Sequence, residues 1–462
     1  MDPQPYLPIK NASFSGIFGV AQTDITPPAG IYSRNWGASE HDVAEGVHRP
    51  LILTCLTIQS SPNEKPLVIV AADLGWWKSA EDERFVRGKI LNALSLDAGR
   101  LMFCLSHTHA GPSLCRDDAA RTGGDLIAPY LDQVINSTIL TVNEALASVK
   151  AGVLTWEYGK CNLAKNRDLP QPEKNRFLVG FNAEIPADDT LLVGRVTDNE
   201  GKTLATLTNY ACHPTTLAWD NRLISPDFIG AMREIVETET QAPSLFLQGA
   251  SGDLSPAEQY SGDQKLADRY GRQLGYAVLA TLESMFRPKS SLTYQCAVES
   301  GAPLAVWREE VDAISNVLKV NVIEIEYPLK PMSSLAELEA EWAKCEDRVL
   351  KERLWRKRCI RKVVGDGTTA VMPVWMWQLG DSILVGQCNE AYSGFQINVR
   401  AAFPSHAVAV MNVVNGSIGY LPPAELYEED MYAVWQTPFD KGSLEMLHEA
   451  VISQAQLMIS EK

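Results

Sequence analysis

His107 and His109 stand two positions apart at the end of the apolar run "LMFCLSHTHAGP", residues 101–112. If the strand geometry of this run persists, both imidazoles project to the same side of the strand. They would then lie at its carboxyl end, where open α/β sheets place their sites. Two imidazoles are good zinc ligands, but a catalytic zinc needs about three protein ligands and an open position for water. The pair alone therefore fits a metal site and a structural role about equally.

A third histidine, His213, ends a second apolar run, "LTNYACHPTT". Because two strand ends would each deliver a histidine, a metal site is favoured over the alternative in which His213 only caps a turn before Pro214. A structural role is favoured for the four histidines that lie in loops or in the predicted C-terminal helix, which are His41, His48, His406 and His448.

Ser255 lies in the Gly/Ser-rich stretch "LQGASGDLSPAEQY", directly after a predicted strand. The stretch is not a GxSxG elbow, and no order of Asp and His residues marks a serine triad. A serine nucleophile is therefore the less favoured interpretation. Serine before proline is also common in turns for local backbone reasons, so the pattern alone leaves Ser255 undecided.

The elements around these residues predict an α/β fold with mixed β-sheets flanked by helices. Residues 66–75 form an apolar strand, residues 79–94 read as a helix, and residues 100–107 form a second apolar strand, which together make a βαβ unit. Further strands are predicted within 203–213, 244–249, 382–390 and 407–416, and a helix over 264–285. Since no repeat or long linker interrupts the chain, we expect one domain over residues 1–462.

The segment from Ser333 to Lys362 predicts one long helix. Ser334 and Glu337 form a capping box, and the acidic start and basic end suit the helix dipole. The basic end, "RLWRKRCIRK", is interpreted as a solvated face in preference to a nucleic-acid patch.

Composition narrows the class of partner. The formal net charge is -16, which disfavours nucleic acid and anionic lipid and favours a small or neutral molecule as partner. The nine cysteines contain no CxxC pair, so we expect reduced thiols. No integral membrane segment is predicted, and with no leader visible we expect a cytoplasmic protein, or a secreted one if a leader was removed. The oligomeric state is left open.

Several ordered motifs resemble the neutral/alkaline ceramidase family, the zinc-dependent amidases that cleave N-acyl sphingosine. They span nearly the whole chain, and they include "GVAQTDITPPAG" (19–30), "SHTHAGP" (106–112), "HPTTLAWDNRLISPDFIG" (213–230), "GASGDLSP" (249–256), "GQCNEAYSGF" (386–395) and "NGSIGYLPPAELYEE" (415–429).

This resemblance implies roles for individual residues. The zinc ligands it implies are His107, His213, Glu390 and Tyr420. The unligated His109 and Arg167 would stabilise the oxyanion of a tetrahedral intermediate, with Tyr420 also at the reacting centre. Contact with the substrate is implied for Ser255 and Asp253 and extended to Trp219, for which packing is the favoured alternative.

The activity implied is hydrolysis of the amide bond of an N-acyl substrate, ceramide-like or smaller, by water bound to Zn²⁺. We expect the catalytic domain of the family without its C-terminal β-sandwich, because the sequence given ends in a predicted helix. Three alternatives stay open: a zinc-dependent esterase, deacylase or lactonase acting on an acylated carbohydrate, an inactive binding protein with the same fold, and a serine hydrolase that uses Ser255 with His109 as its base.

Overall fold

Two mixed β-sheets pack face to face at the centre of the protein, whose computed structural model describes residues 6–461. Their strands, with the short strands around them, are β1 (Ile9–Lys10), β2 (Ala12–Asp24), β3 (Gly46–Val47), β4 (Ile52–Gln59), β5 (Leu67–Ala72), β6 (Leu101–Leu105), β7 (Lys150–Lys160), β8 (Ala164–Asn166), β9 (Asp168–Gln171), β10 (Arg176–Val179), β11 (Thr190–Asp198), β12 (Thr203–Tyr210), β13 (Leu223–Ile224), β14 (Ser244–Gln248), β15 (Leu254–Pro256), β16 (Ser290–Glu299), β17 (Pro303–Val311), β18 (Leu318–Pro328), β19 (Thr369–Leu379), β20 (Ser382–Gln387), β21 (Glu390–Ala391), β22 (Ala407–Met411) and β23 (Tyr420–Leu421).

Helices cover the outer faces of the two sheets. They are α1 (Ala80–Leu94), α2 (Ile127–Ala147), α3 (Phe228–Thr240), α4 (Gln264–Ser284), α5 (Leu335–Lys344), α6 (Arg348–Val364), α7 (Ser393–Ala402), α8 (Tyr432–Gln436) and α9 (Ser443–Ser460). The predicted fold class, mixed sheets flanked by helices, is confirmed.

The larger sheet has eight strands in the order β14-β12-β11-β7-β2-β4-β5-β6. Its two end pairs, β12 with β14 and β5 with β6, are parallel, while the pairs between them are antiparallel. The predicted βαβ unit is confirmed as β5, α1 and β6. All of the residues in β5 and β6 are buried, which explains why both read as continuous apolar runs.

The smaller sheet has four strands in the order β18-β19-β20-β22. Its side chains Trp377 and Leu384 share one apolar cluster with Met102 and Trp156 of the larger sheet, so the two sheets bury their facing surfaces against each other. Helices α1 and α2 pack on the opposite face of the larger sheet, together with α3 and α4 near its other end. Helices α7 and α9 cover the outer face of the smaller sheet.

The prediction of a single helix from Ser333 to Lys362 is wrong, because the structure divides this segment into α5 and α6. The capping box of Ser334 and Glu337 is confirmed at the start of α5. The helix ends before Cys345, and Asp347 then caps a new helix by accepting a hydrogen bond from the N–H of Leu350 at 2.7 Å. A side chain that competes for backbone N–H groups in this way starts a helix and interrupts a longer one.

The nine cysteines carry free thiols, as predicted, and six of them are buried. Among residues 6–461, no helix is both long enough and apolar enough to cross a bilayer.

Candidate metal and catalytic site

His107 occupies a left-handed backbone conformation just beyond the end of β6. Its φ is 67°, and its N–H donates to the carbonyl of Leu74 at 2.9 Å. The expectation that strand geometry persists through His107 and His109 is therefore wrong, since the strand ends at Leu105. The two rings still lie 5.1 Å apart between centroids. A left-handed residue other than glycine costs about 1–3 kcal/mol, and such strain is concentrated at functional sites.

His213 follows β12 and lies directly against His107. Their Nε2 atoms are 3.2 Å apart. The Nδ1 of His213 is 2.7 Å from the carbonyl oxygen of Ser251, and that of His107 is 3.3 Å from the carbonyl of Gly75. Since a carbonyl only accepts, each Nδ1 carries the proton and each Nε2 presents a lone pair, which is how metal-binding histidines are held.

Glu390 and Tyr420 reach the same point from far down the chain. They are direct partners in the parallel pairing of β21 with β23. The Oε2 of Glu390 is 2.9 Å from Nε2 of His213 and 3.3 Å from Nε2 of His107. The hydroxyl of Tyr420 lies 3.5 Å from Nε2 of His213. The structure thus brings together all four side chains that the sequence resemblance implies as ligands.

The electrostatics of this cluster fit a bound cation. Burial lowers the pKa of His213 to about 3, and Arg167 adds to the shift, so the imidazole is neutral. Burial alone would raise the pKa of Glu390, but His107 and His213 bring it well below its usual value. A carboxylate and two imidazole lone pairs repel one another unless a positive charge lies between them. Two imidazoles, a carboxylate and a phenol form a donor set suited to a divalent transition metal.

His109 completes a group of three histidines, each of which offers one ring nitrogen within 4.8 Å of those of the other two. Its environment differs from that of His107 and His213, because neither ring nitrogen has a hydrogen-bond partner among the described residues. The ring packs between Trp76 and Trp36 at centroid distances of 4.8 and 5.1 Å. Burial, assisted by His107, lowers its pKa well below the usual value. A neutral, buried imidazole with no fixing partner is poised for substrate more than for a metal.

Arg167 supplies a fixed positive charge next to both Tyr420 and His213, since its Nη2 lies 3.4 Å from Nε2 of His213. Its guanidinium donates to the carbonyl of Gly252 at 2.8 and 3.1 Å and to the hydroxyl of Tyr420 at 3.1 Å. Burial alone would lower its pKa, but the neighbouring Tyr420 contributes most to raising it, so the charge is retained. The antiparallel pairing of β8 with β15 sets this position, since it places Asn166 opposite Leu254.

The three residues expected to contact substrate lie around the cluster at different depths. Ser255 is buried in β15, where its hydroxyl accepts from Gln259 at 2.8 Å. Both carboxylate oxygens of Asp253 accept hydrogen bonds from Ser393, from its N–H and its hydroxyl, each at 2.7 Å. Trp219 is one ring removed from His109, because it packs against Trp36 at 5.9 Å. Their assignment to substrate contact stays a prediction.

Two cavities adjoin the cluster, with volumes of about 80 and 240 Å³, and we call them the first and the second cavity. They share the lining residues His109, Glu352, Arg356, Tyr420, Tyr432 and Gln436, which we call the shared wall. Arg356 belongs to the basic end of α6, so the interpretation of that stretch as a solvated face is wrong for this residue. No sequence signal identifies this residue, because the charge pattern along a helix does not reveal which charge faces a cavity.

A family model described as the N-terminal part of neutral/alkaline non-lysosomal ceramidases matches residues 17–263, just over half of the 462 residues. The chain belongs to this family. His107, His109, Arg167 and His213 lie within the matched residues. The neutral ceramidase of Pseudomonas aeruginosa is 25% identical over 247 residues, which are 52% of this chain. That match covers 37% of the relative, so it spans little more than a third of its length.

The family fold extends well beyond the matched residues. The crystal structure of the Pseudomonas aeruginosa neutral ceramidase superposes on this chain with a TM-score of 0.66 at 16% identity, covering 95% of this chain and 73% of that one. A structure described as ceramidase complexed with C2 gives the same TM-score at 14% identity, with 95% and 74% coverage. These superpositions confirm the ceramidase-like fold.

Proposed function

We propose that this ceramidase-family protein is a zinc-dependent hydrolase that cleaves the carbon–nitrogen amide bond of an N-acyl substrate. One observation carries the proposal: Nε2 of His107, Nε2 of His213 and Oε2 of Glu390 converge within 3.3 Å of one another. They lie beside His109, whose ring nitrogens have no hydrogen-bond partner in the described part of the chain. Family membership supports the amide bond, because a relative in this family is named a neutral ceramidase and ceramide is an amide.

The ligand residues His107, His213, Glu390 and Tyr420 would hold the ion. When bound, Zn²⁺ would polarise the acyl carbonyl and lower the pKa of a coordinated water to about 7. The carbonyls of Ser251 and Gly75 keep the two imidazoles in the tautomer that presents Nε2.

The remaining residues act on the charge that develops as the carbonyl is attacked. His109 is neutral and buried, so one of its ring nitrogens carries an N–H that can donate a hydrogen bond to the forming oxyanion. Arg167 keeps its charge and is held in place by Gly252, so its position is fixed before substrate arrives. Prearranged donors of this kind are typically worth about 10²–10³ in kcat each.

Metal content and activity measured on the same preparations test the proposal. The wild-type chain, purified without chelator, should contain about one zinc per chain and release hexanoate from N-hexanoyl sphingosine. His213→Ala should lose both the zinc and the activity. His109→Ala should keep the zinc and lose about 10²–10³ in kcat, because it removes a donor and leaves the ligands intact.

Two results would overturn the proposal. If the wild-type protein binds no zinc and gains no activity when zinc is added, the proposed zinc dependence is wrong. A His109→Ala variant that loses its zinc along with its activity would show that His109 is a ligand, and the assignment of the two histidine roles would be wrong.

A further inference from the structure

Helix α6 carries charged side chains into the wall between the two cavities. Glu352 and Arg356, one helical turn apart, belong to the shared wall, and Lys78 lines the first cavity. Helix α6 lies beyond residue 263, where the match to the family model ends, whereas the histidines of the cluster lie before it. The two charged residues that α6 contributes to the shared wall, Glu352 and Arg356, therefore come from a part of the chain that the family model does not cover.

The charge lining the cavities runs against the charge of the whole protein. The chain has 57 acidic and 41 basic residues. Among the described residues that line the two cavities, the cations are Lys78, Arg167, Arg353 and Arg356, and the carboxylates are Glu352 and Glu390. A bound divalent ion would add further positive charge. A cleft of one sign in a low-dielectric wall attracts a ligand of the opposite sign.

Arg356 and Lys78 also keep donors that no described residue uses. A guanidinium has five N–H groups. Arg356 uses three of them, donating to Tyr432 at 2.8 Å, to the carbonyl of Asn35 at 3.2 Å and to Glu352 at 3.3 Å. The ammonium of Lys78 lies 3.7 Å from the nearest carboxylate, Asp118, which is beyond hydrogen-bond distance, and its side chain is only 11% exposed.

Both cations share the first cavity with residues of the reacting centre. Lys78 lies 5.9 Å from the ring centre of Trp76, whose ring packs on His109 at 4.8 Å. Arg356 lines both cavities alongside His109 and Tyr420. A substrate whose acyl carbonyl lies at the histidines would thus extend into a cavity that both cations line. Guanidinium and ammonium groups recognise carboxylate, phosphate and sulfonate oxygens.

We propose that the substrate is a small N-acyl compound bearing an anionic oxygen group, which Arg356 and Lys78 bind while its amide lies at the histidine cluster. The proposal rests on the amide hydrolysis proposed above and names the substrate class for it. The cavities, of about 80 and 240 Å³, have the size of a site for a small molecule.

A matched pair of substrates tests this specificity. N-hexanoylglycine carries a carboxylate, and N-hexanoylglycinamide has nearly the same shape without the charge. Zinc-loaded wild-type protein should hydrolyse N-hexanoylglycine with a kcat/KM at least tenfold higher than that for N-hexanoylglycinamide. Arg356→Gln should reduce that ratio about tenfold, mainly through KM, and Arg356→Lys should retain part of it. Lys357→Gln removes the neighbouring charge of the same helix, which lines neither cavity, and should leave the ratio unchanged.

The controls separate the two proposals. Equal rates for the two glycine compounds, or a ratio that Arg356→Gln leaves unchanged, would overturn the anionic specificity. If N-hexanoyl sphingosine is still hydrolysed in that case, the proposed amide hydrolysis is retained and only the anionic specificity is wrong. Release of no hexanoate from any of the three compounds would overturn the amidase itself, and the specificity with it.

Discussion

Glu390 and Tyr420 face each other as partners in a two-residue parallel ladder, and both side chains reach Nε2 of His213. Paired residues of a parallel ladder project to the same face, so a short ladder is enough to aim a carboxylate and a phenol at one point. Hydrogen bonds flank this pair, since the N–H of Glu390 donates to the carbonyl of Gly419 at 2.9 Å and the N–H of Tyr392 donates to the carbonyl of Leu421 at 3.2 Å. The ladder therefore fixes half of the candidate ligand set.

Glu390→Gln should sharply weaken metal binding. The substitution keeps the shape but replaces the carboxylate that faces two imidazole lone pairs by a neutral amide. Loss of a residue that only supports a ligand typically costs about 10–100-fold in metal affinity, so the loss of the carboxylate ligand itself should cost at least that much. The zinc content of the variant after dialysis against a chelator-buffered zinc solution measures this loss of affinity.

The control for this variant is Glu428→Gln, which removes a carboxylate whose side chain is 85% exposed. It should retain wild-type zinc affinity. Unchanged zinc affinity in Glu390→Gln would show that Glu390 does not bind the metal.

Gly252→Ala should disable the site without replacing the side chain of a proposed ligand. A Cβ at Gly252 would lie 2.8 Å from the carbonyl oxygen of Glu390 and 2.7 Å from the ring of Tyr392, so β21 must shift. The carbonyl of Gly252 also accepts two of the hydrogen bonds that Arg167 donates. A displacement of about 1 Å in such a site can cost about 100-fold in rate, and we expect a loss of that order in kcat/KM.

Gly394→Ala is the matched control, because it lies in the adjacent helix α7 and its Cβ would meet no atom within 4 Å. It should keep full activity and gain up to about 1 kcal/mol of helix stability. Similar activity in the two alanine variants would mean that the position of β21 does not control the reaction.

Ser255→Ala should change kcat/KM by less than about fivefold and leave the zinc content unchanged. The hydroxyl of Ser255 is hydrogen-bonded to Gln259 at 2.8 Å, and no histidine is among its partners in the described part of the chain. A nucleophilic serine would behave differently, since removing one costs about 10⁶ in kcat. A loss of that size with zinc retained would support the serine hydrolase alternative instead.

The parts of the fold that the sequence predicts best are those in which local pattern and burial agree. The βαβ unit is predictable from the sequence because β5 and β6 are buried on both faces and therefore appear as continuous apolar runs. The left-handed conformation of His107 was not, because the packing of the loop against Leu74 sets it. The convergence of Glu390 on His213 depends on contacts between segments far apart in sequence, so only the family resemblance indicated it. Arg356 had no such guide, since tertiary packing decides which face of α6 lines the cavities.

Lys330→Met should stabilise the protein most at pH below 8. Burial, with Lys357 nearby, lowers the pKa of Lys330 from 10.5 to about 8. Below pH 8 the folded state must keep this amine charged in a poor environment, which opposes folding relative to the unfolded chain. As the pH rises from about 8 to 10.5 the folded state binds fewer protons than the unfolded one, so wild-type stability recovers. The full shift corresponds to roughly 3 kcal/mol, which solvent screening of this partly exposed amine reduces to about 1–2 kcal/mol.

Urea unfolding midpoints at pH 7, 8, 9 and 10 measure the effect of Lys330→Met. The gap between variant and wild type should narrow steadily over this range, while the hydrogen bond that Lys330 donates to the carbonyl of Val434 adds only an offset at each pH. Lys160→Met serves as the control, because that side chain is 79% exposed and its removal should produce a difference that does not vary with pH. A gap that stays constant for Lys330→Met as well would mean that its amine titrates as an ordinary surface lysine.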